Sequence, residues 1–274
     1  MAVLGRPDGA AIWHHYEGPS RPHAFTFVFF NPLTGDSSAW EARVAPALRA
    51  RGHGTLLFDY RGQRQSPVGP QVPIDARHIV DDAVAVIEAE QPVRPVYVGL
   101  SIGGLFAART HLAGARARGI LFVNTLREDG PRLRWLNDAL CRCALTGGLR
   151  LLRDLYLPLL FGQDWLRANR HAFLSEPPYE PLSPDHPDVR LLASAATADW
   201  DLPYEKFDMP TLVLTGLEDH VFYDETVVRR LAARLPNTLR VDLPGVGHLV
   251  PAEAPEAMVE ACLALAGRIA EHAS

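Results

Sequence analysis

The sequence predicts an α/β fold: a mainly parallel sheet flanked by helices, with a helical segment inserted between two of the strands. Three observations carry this. Short, nearly continuous apolar runs alternate with longer helical patterns, as strands covered on both faces do. The alternation is interrupted once, between about Arg127 and Tyr204, where no strand is legible. A Gly-x-Ser-x-Gly turn stands at one of the strand-to-helix junctions.

The strand runs are Ala24–Phe30, Thr55–Asp59, Pro95–Leu100, Ile120–Val123, Thr211–Thr215 and Leu239–Leu243. Ser38–Arg51 reads as a helix with a serine cap, its Trp40, Val44 and Leu48 forming an i, i+4 stripe. Ala76–Glu90 puts Ile79, Ala83, Val86 and Ile87 on one face. Thr226–Leu235 and Glu253–Ile269 are the last two helices. Inside the interruption, Leu133–Ala144 and Leu149–Leu157 are helical stretches. Pro177–Pro187 must be irregular, because proline removes donors and fixes φ.

A chain of 274 residues with 47% apolar and 22% charged side chains fits one large globular domain, or one with an insertion, and not a disordered chain. The net charge of −5 argues against a general affinity for nucleic acid. No apolar run approaches the ~18 residues of a membrane span, and the N-terminus lacks the pattern of a secretory signal. Cys141, Cys143 and Cys262 fit neither a zinc ribbon nor a redox pair, so a reducing, cytoplasmic location is expected. No metal-ligand spacing, phosphate loop or dinucleotide fingerprint occurs, and no signal for oligomeric state is present.

The chemistry concentrates in three places. Gly99-Leu100-Ser101-Ile102-Gly103 sits where a strand ends and a helix begins, a turn tight enough to need small flanking residues and to expose the serine hydroxyl. Serine needs a base, and the base an orienting acid, both on later strands of such a sheet. Asp219 follows the run Thr211–Thr215, and His248 follows Leu239–Leu243. Glu218, His220 and Asp224 share the loop of Asp219, and Glu128 or Asp129 would be an acid placed one strand earlier.

These residues in this order resemble the α/β-hydrolases, in particular the capped serine esterases and lactonases, and the resemblance runs through nearly all of the chain. Asp59-Tyr60-Arg61-Gly62 with Ser66 resembles the family's D-x-R-G-x-G-x-S segment, with Arg64 in place of the second glycine. The family's His-Gly-x after the third strand is here Asn31-Pro32-Leu33. The resemblance implies an oxyanion hole from the N–H groups of Leu33, with Thr34 as the substitute, and Ile102. Asn31 to Leu33 followed by Trp40, Gly99–Gly104 and Asn124-Thr125 are similar to segments of 3-oxoadipate enol-lactonases.

The implied fold is the α/β-hydrolase fold, residues 1–126 and 205–274 forming the core and 127–204 a helical cap after the sixth strand. The implied activity is cleavage of a small carboxylic ester or lactone through a Ser101–His248–Asp219 triad and an acyl-enzyme, with no metal or cofactor. The same triad serves amide, thioester or carbon–carbon hydrolysis, perhydrolysis and acyl transfer, and the fold also occurs as a plain ligand-binding protein. Residues 127–170 hold eight arginines against five acids. Either these are solvated, ion-paired helix faces, or one of them binds a substrate carboxylate, Arg127 and Arg132 being the first choices. Trp135, Trp165 and Trp200, with Phe161 and Phe173, are expected to line the underside of the cap, Trp135 and Trp165 at the substrate site.

Overall fold

The computed structural model describes residues 1–174 and 178–272, so Pro177, the rest of the expected cap at 175–176 and the core's last two residues lie outside it. Eight strands form one sheet: β1 (Ala2–Gly5), β2 (Ala11–Glu17), β3 (Thr26–Phe30), β4 (Gly54–Phe58), β5 (Pro95–Leu100), β6 (Gly119–Val123), β7 (Thr211–Gly216) and β8 (Thr238–Leu243). Their order is β1-β2-β4-β3-β5-β6-β7-β8. The strands β3 to β8 run parallel, while β2 is antiparallel to both β1 and β4.

The first two strands are not legible as apolar runs. The strand β1 lies exposed at the sheet edge, and β2 carries two histidines. His14 is nonetheless buried, because Glu90 meets its Nε2 at 2.8 Å.

The strands β3 to β7 read as nearly continuous apolar runs because they bury both faces. Val28, Phe30, Phe58, Tyr97 and Phe122 pack on one side against Ile79, Val86 and Phe106. These come from α3 (Ala76–Glu90) and α4 (Ile102–Leu112); α1 (Ser38–Glu41) and α2 (Val44–Arg49) precede them. Phe27, Phe29, Val98 and Leu121 pack on the other side against Trp40, Val44, Leu48, Met258 and Leu265. The edge strand β8 is half exposed.

The expected helix Ser38–Arg51 is two short helices, because Arg43 leaves helical geometry at φ −147°. Ser38 is not its cap; Asp36 Oδ1 accepts the Ser38 N–H at 2.8 Å. Between β6 and β7 the described residues form α5 (Pro131–Leu160), α6 (Gln163–Asn169) and α7 (Pro187–Ser194), with no strand. Gly147 and Gly148 interrupt α5, which explains the two separate helical patterns within it. Ala144, Leu152, Val189 and Leu192 give this segment a small core of its own. Pro187 belongs to α7, where it takes the first turn that has no need of its N–H. The chain ends with α8 (Glu225–Ala232), α9 (Val250–Glu253) and α10 (Pro255–His272). Among the described residues no helix is long and apolar enough to cross a membrane.

Candidate active site

Parallel register brings the site together. Phe30 pairs with Gly99, Leu100 with Val123, Val123 with Leu214, and Gly216 with Leu243. The carboxyl ends of five strands are therefore level, and the segments that follow them meet at one edge, where open α/β sheets bind ligands.

Ser101 stands alone between β5 and α4 at φ 59°, ψ −125°, a conformation rare for any residue but glycine. The turn closes because its neighbours lack side chains. A Cβ on Gly99 would lie 2.3 Å from the Gly104 Cα, and one on Gly103 2.3 Å from the Phe30 carbonyl oxygen. Ser101 and His248 face one cavity of about 110 Å³. Its walls are mostly apolar and include Leu33, Leu133, Leu152, Leu192, Trp200 and Phe222.

His248 Nδ1 lies 2.5 Å from Asp219 Oδ2, both groups being buried. The other Asp219 oxygen accepts the N–H groups of Val221 (3.1 Å) and Phe222 (2.9 Å). Burial alone would raise this carboxyl. The charge and hydrogen bond of His248, the Phe222 N–H and Arg127 outweigh burial and hold it below the usual carboxylate range. The neighbouring acids are engaged elsewhere. Glu218 meets His220 at 3.2 Å, and Asp224 caps α8 by accepting the Val227 N–H. Glu128 pairs with Arg230, and Asp129 with Arg134.

The Asn31-Pro32-Leu33 loop is held by groups that its departure from His-Gly-x supplies. Asn31 Nδ2 donates to the Phe58 carbonyl (3.0 Å) and to Gln63 Oε1 (2.9 Å), and Asn31 Oδ1 accepts the Trp40 indole N–H (2.9 Å). Gln63 Nε2 in turn donates to the Pro32 carbonyl at 2.9 Å. Leu33 and Ile102 both border the cavity, and neither backbone N–H donates to a described acceptor. Ile102 opens α4, so its N–H has no partner within the helix.

Three residues that sequence reasoning left without a role shape this arrangement. Gln63 lies inside the Asp59–Ser66 segment, which was its one legible signal. Asn124, at φ 46°, donates to the Gly247 (3.1 Å) and His248 (2.8 Å) carbonyls and accepts the Gly216 N–H (2.8 Å). Glu253 accepts the N–H groups of Gly162 (2.7 Å), Gly247 (2.9 Å) and Leu249 (3.2 Å), tying the end of α5 to the His248 loop. Nothing in the sequence marks Glu253 as the link, because the Gly162 N–H that it ties to its own loop lies 91 residues away.

The expectations for the inserted segment divide. Arg127 is buried at the cavity, with Nη2 3.0 Å from Ser101 Oγ. Arg132 does not reach it; its guanidinium donates to the Val221 carbonyl and borders a separate cavity. Trp135 is 77% exposed and lines no part of the Ser101 cavity. Trp165 also lies off it, stacked on Phe161 with ring centroids 3.7 Å apart. Both tryptophans sit on helix faces turned from the cavity, and helical periodicity alone does not say which face looks inward. Among the described residues no three His, Cys, Asp or Glu side chains group as a metal site.

The sequence profile described as "Alpha/beta hydrolase family" matches residues 27–261. The chain belongs to this family. It is 28% identical, over 94% of its length and 96% of the relative's, to "Putative carbamate hydrolase RutD" of Caulobacter sp. (strain K31). Among solved structures, a thermophilic esterase from Thermogutta terrifontis superposes with a TM-score of 0.79 at 19% identity, covering 98% of this chain and 97% of that one. The enol-lactonase from Burkholderia xenovorans LB400 superposes with a TM-score of 0.73 at 21% identity, over 93% and 96%. At such identities these two establish the fold shared by the α/β-hydrolase family. The protein is thus a hydrolase of the α/β-hydrolase type.

Proposed function

We propose that the protein is a serine hydrolase that cleaves a small carboxylic ester or lactone, with Ser101 as nucleophile, His248 as general base and Asp219 as the acid that orients it. The observation that carries this is the buried 2.5 Å contact between His248 Nδ1 and Asp219 Oδ2, made by a histidine that shares one cavity with Ser101. Ser101 Oγ attacks the carbonyl carbon while His248 takes the hydroxyl proton. Asp219 fixes the imidazole tautomer and stabilises its cation. The Leu33 and Ile102 N–H groups receive the oxyanion, each contributing roughly 3 kcal/mol in comparable sites. Collapse of the tetrahedral intermediate expels the alcohol, protonated by His248. Water, deprotonated by the same histidine, then releases the acid.

The cavity supports a small substrate. An apolar cavity of roughly 150 Å³ holds a benzene-sized ligand, so about 110 Å³ suits a short acyl chain. The segment 127–204 acts as a lid in this reading, its α5 and α7 supplying the apolar wall above Ser101.

The test is a panel of short esters, lactones and amides, with a carbamate included because of the relative named for one. It is run beside fluorophosphonate labelling of the wild-type protein and of Ser101→Ala. Ester or lactone turnover lost in Ser101→Ala, with labelling lost in step, is expected. Retention of more than a few per cent of the activity in that variant would remove Ser101 from the role of nucleophile.

A further inference from the structure

We propose that Arg127 is an anion-recognition group, and that the substrate carries a carboxylate a few bonds from the carbonyl that Ser101 attacks. This rests on the hydrolase function proposed above. Arg127 Nη2 donates to Ser101 Oγ at 3.0 Å and to the Asn124 carbonyl at 2.8 Å, and Nε reaches the Thr125 carbonyl at 3.3 Å. Nη1 has no acceptor among the described residues. The guanidinium carbon lies over the rings of Phe222 (4.4 Å) and Trp200 (4.8 Å), which hold its plane against the cavity wall.

The charge of this group has no directly paired carboxylate and is compensated only from a distance, by Asp219. No carboxylate of the described residues comes within 4.0 Å of it. Glu128 and Asp129, on the rim of the second cavity that Arg127 borders, are taken up by Arg230 and Arg134. Burial pushes the guanidinium down to about 10, against the more distant pull of Asp219 and Tyr204. The indole N–H of Trp200, which also lines the cavity, is buried and has no acceptor among the described residues.

A tether for the serine hydroxyl needs a donor, and a neutral side chain would provide one. A buried cation whose Nη1 has no acceptor among the described residues keeps a desolvation cost that the Phe222 and Trp200 rings and the distant Asp219 offset in part, and that an anionic partner offsets further. Guanidinium donors in a planar fork match a carboxylate. Since Nη2 already touches the nucleophile, the anion must lie near the scissile carbonyl and not at the far end of a long chain.

The experiment compares phenyl hydrogen glutarate with phenyl pentanoate, equal in chain length and different in charge, by phenol release from the wild type, Arg127→Met and Arg127→Lys. The wild type should favour the charged ester in kcat/KM, mainly through KM. Arg127→Met should lower the charged-to-neutral ratio by about tenfold to a hundredfold, and Arg127→Lys should restore part of it. Thermal unfolding with glutarate gives a readout free of turnover: glutarate should raise Tm of the wild type and not of Arg127→Met.

A neutral preference in the wild type, or an equal fall for both esters in Arg127→Met, overturns the proposal while leaving Ser101 hydrolysis standing. If neither ester is cleaved and fluorophosphonate does not label Ser101, the hydrolase function fails. The glutarate shift then decides the anion site alone: its presence in the wild type and loss in Arg127→Met supports the site, and its absence refutes it.

Discussion

Replacing Asp219 by Asn should inactivate the enzyme by a route that its hydrogen bonds dictate. Asp219 Oδ1 accepts two backbone N–H groups, and Oδ2 faces His248 Nδ1. The amide has one acceptor. If its oxygen stays with Val221 and Phe222, its NH₂ points at Nδ1 and forces the proton onto Nε2, the nitrogen that must take the serine proton. The reverse orientation turns the NH₂ against two N–H donors and forfeits two hydrogen bonds, about 2–3 kcal/mol. The unproductive tautomer is therefore favoured by about 30–150-fold. Loss of the charge-assisted bond to the imidazolium costs a further ~1.5–3 kcal/mol in the transition state, about 10–150-fold. The product is a fall of about 3 × 10² to 2 × 10⁴ in kcat, a range that contains the ~10⁴ seen when a triad acid becomes its amide. The assay is steady-state hydrolysis of the best ester from the panel at pH 8, with urea unfolding to show that the variant is folded. Glu218→Gln and Asp224→Asn serve as comparisons. A loss below tenfold in Asp219→Asn, or a larger loss in either comparison, would refute the tautomer argument.

Gly103→Ala should fail to fold or lose several kcal/mol, because its Cβ would press on the Phe30 carbonyl; native-like urea unfolding of that variant would contradict the close approach. Glu253→Ala leaves three N–H groups without their acceptor and should lose about 2–3 kcal/mol in urea unfolding, with kcat falling more than KM changes. The Glu253 carboxyl lies above its ordinary value of 4.5 through burial, partly offset by those N–H groups. Its own ionisation therefore lowers stability as pH rises through 4.5 toward the folded value. Asp219 behaves oppositely: its folded value lies below 3.8, so it stabilises the fold above that pH, and the contribution fades as pH falls through the folded value. Urea unfolding between pH 3 and 7 should show a shallower acid decline in Asp219→Asn than in the wild type. Activity should survive EDTA, since the proposed chemistry runs through Ser101, His248 and Asp219; loss on chelation and return with added metal would overturn that route.

The order of strands and helices from β3 to β7 was legible because burial on two faces leaves a mark: Phe27 and Phe29 face one layer, Val28 and Phe30 the other, so these four positions are all apolar, whereas the half-exposed β8 alternates, with Arg240 and Asp242 in it. The strands β1 and β2 left no such mark, since one is exposed and the other hides His14 behind Glu90. Ser101 was legible for a steric reason, as small residues at Gly99 and Gly103 are what so close a turn requires. His248 and Asp219 were legible as positions, each following a strand whose end must lie at the same edge.

The sequence by itself therefore determined the layered sheet, the turn that presents Ser101 and the order in which Asp219 and His248, the proposed acid and base, follow it. These depend on periodicity, residue size and chain order, all of which are local or one-dimensional. The tertiary structure alone decided which carboxylate meets His248, that Arg127 and not Arg132 reaches Ser101, and that Trp135 and Trp165 turn away from the cavity. It also decided that Gln63, Asn124 and Glu253 hold the loops. Those outcomes depend on contacts between residues up to 124 positions apart, set by sheet register and by which face of a helix turns inward. Composition and spacing carry no trace of such contacts until the chain has folded.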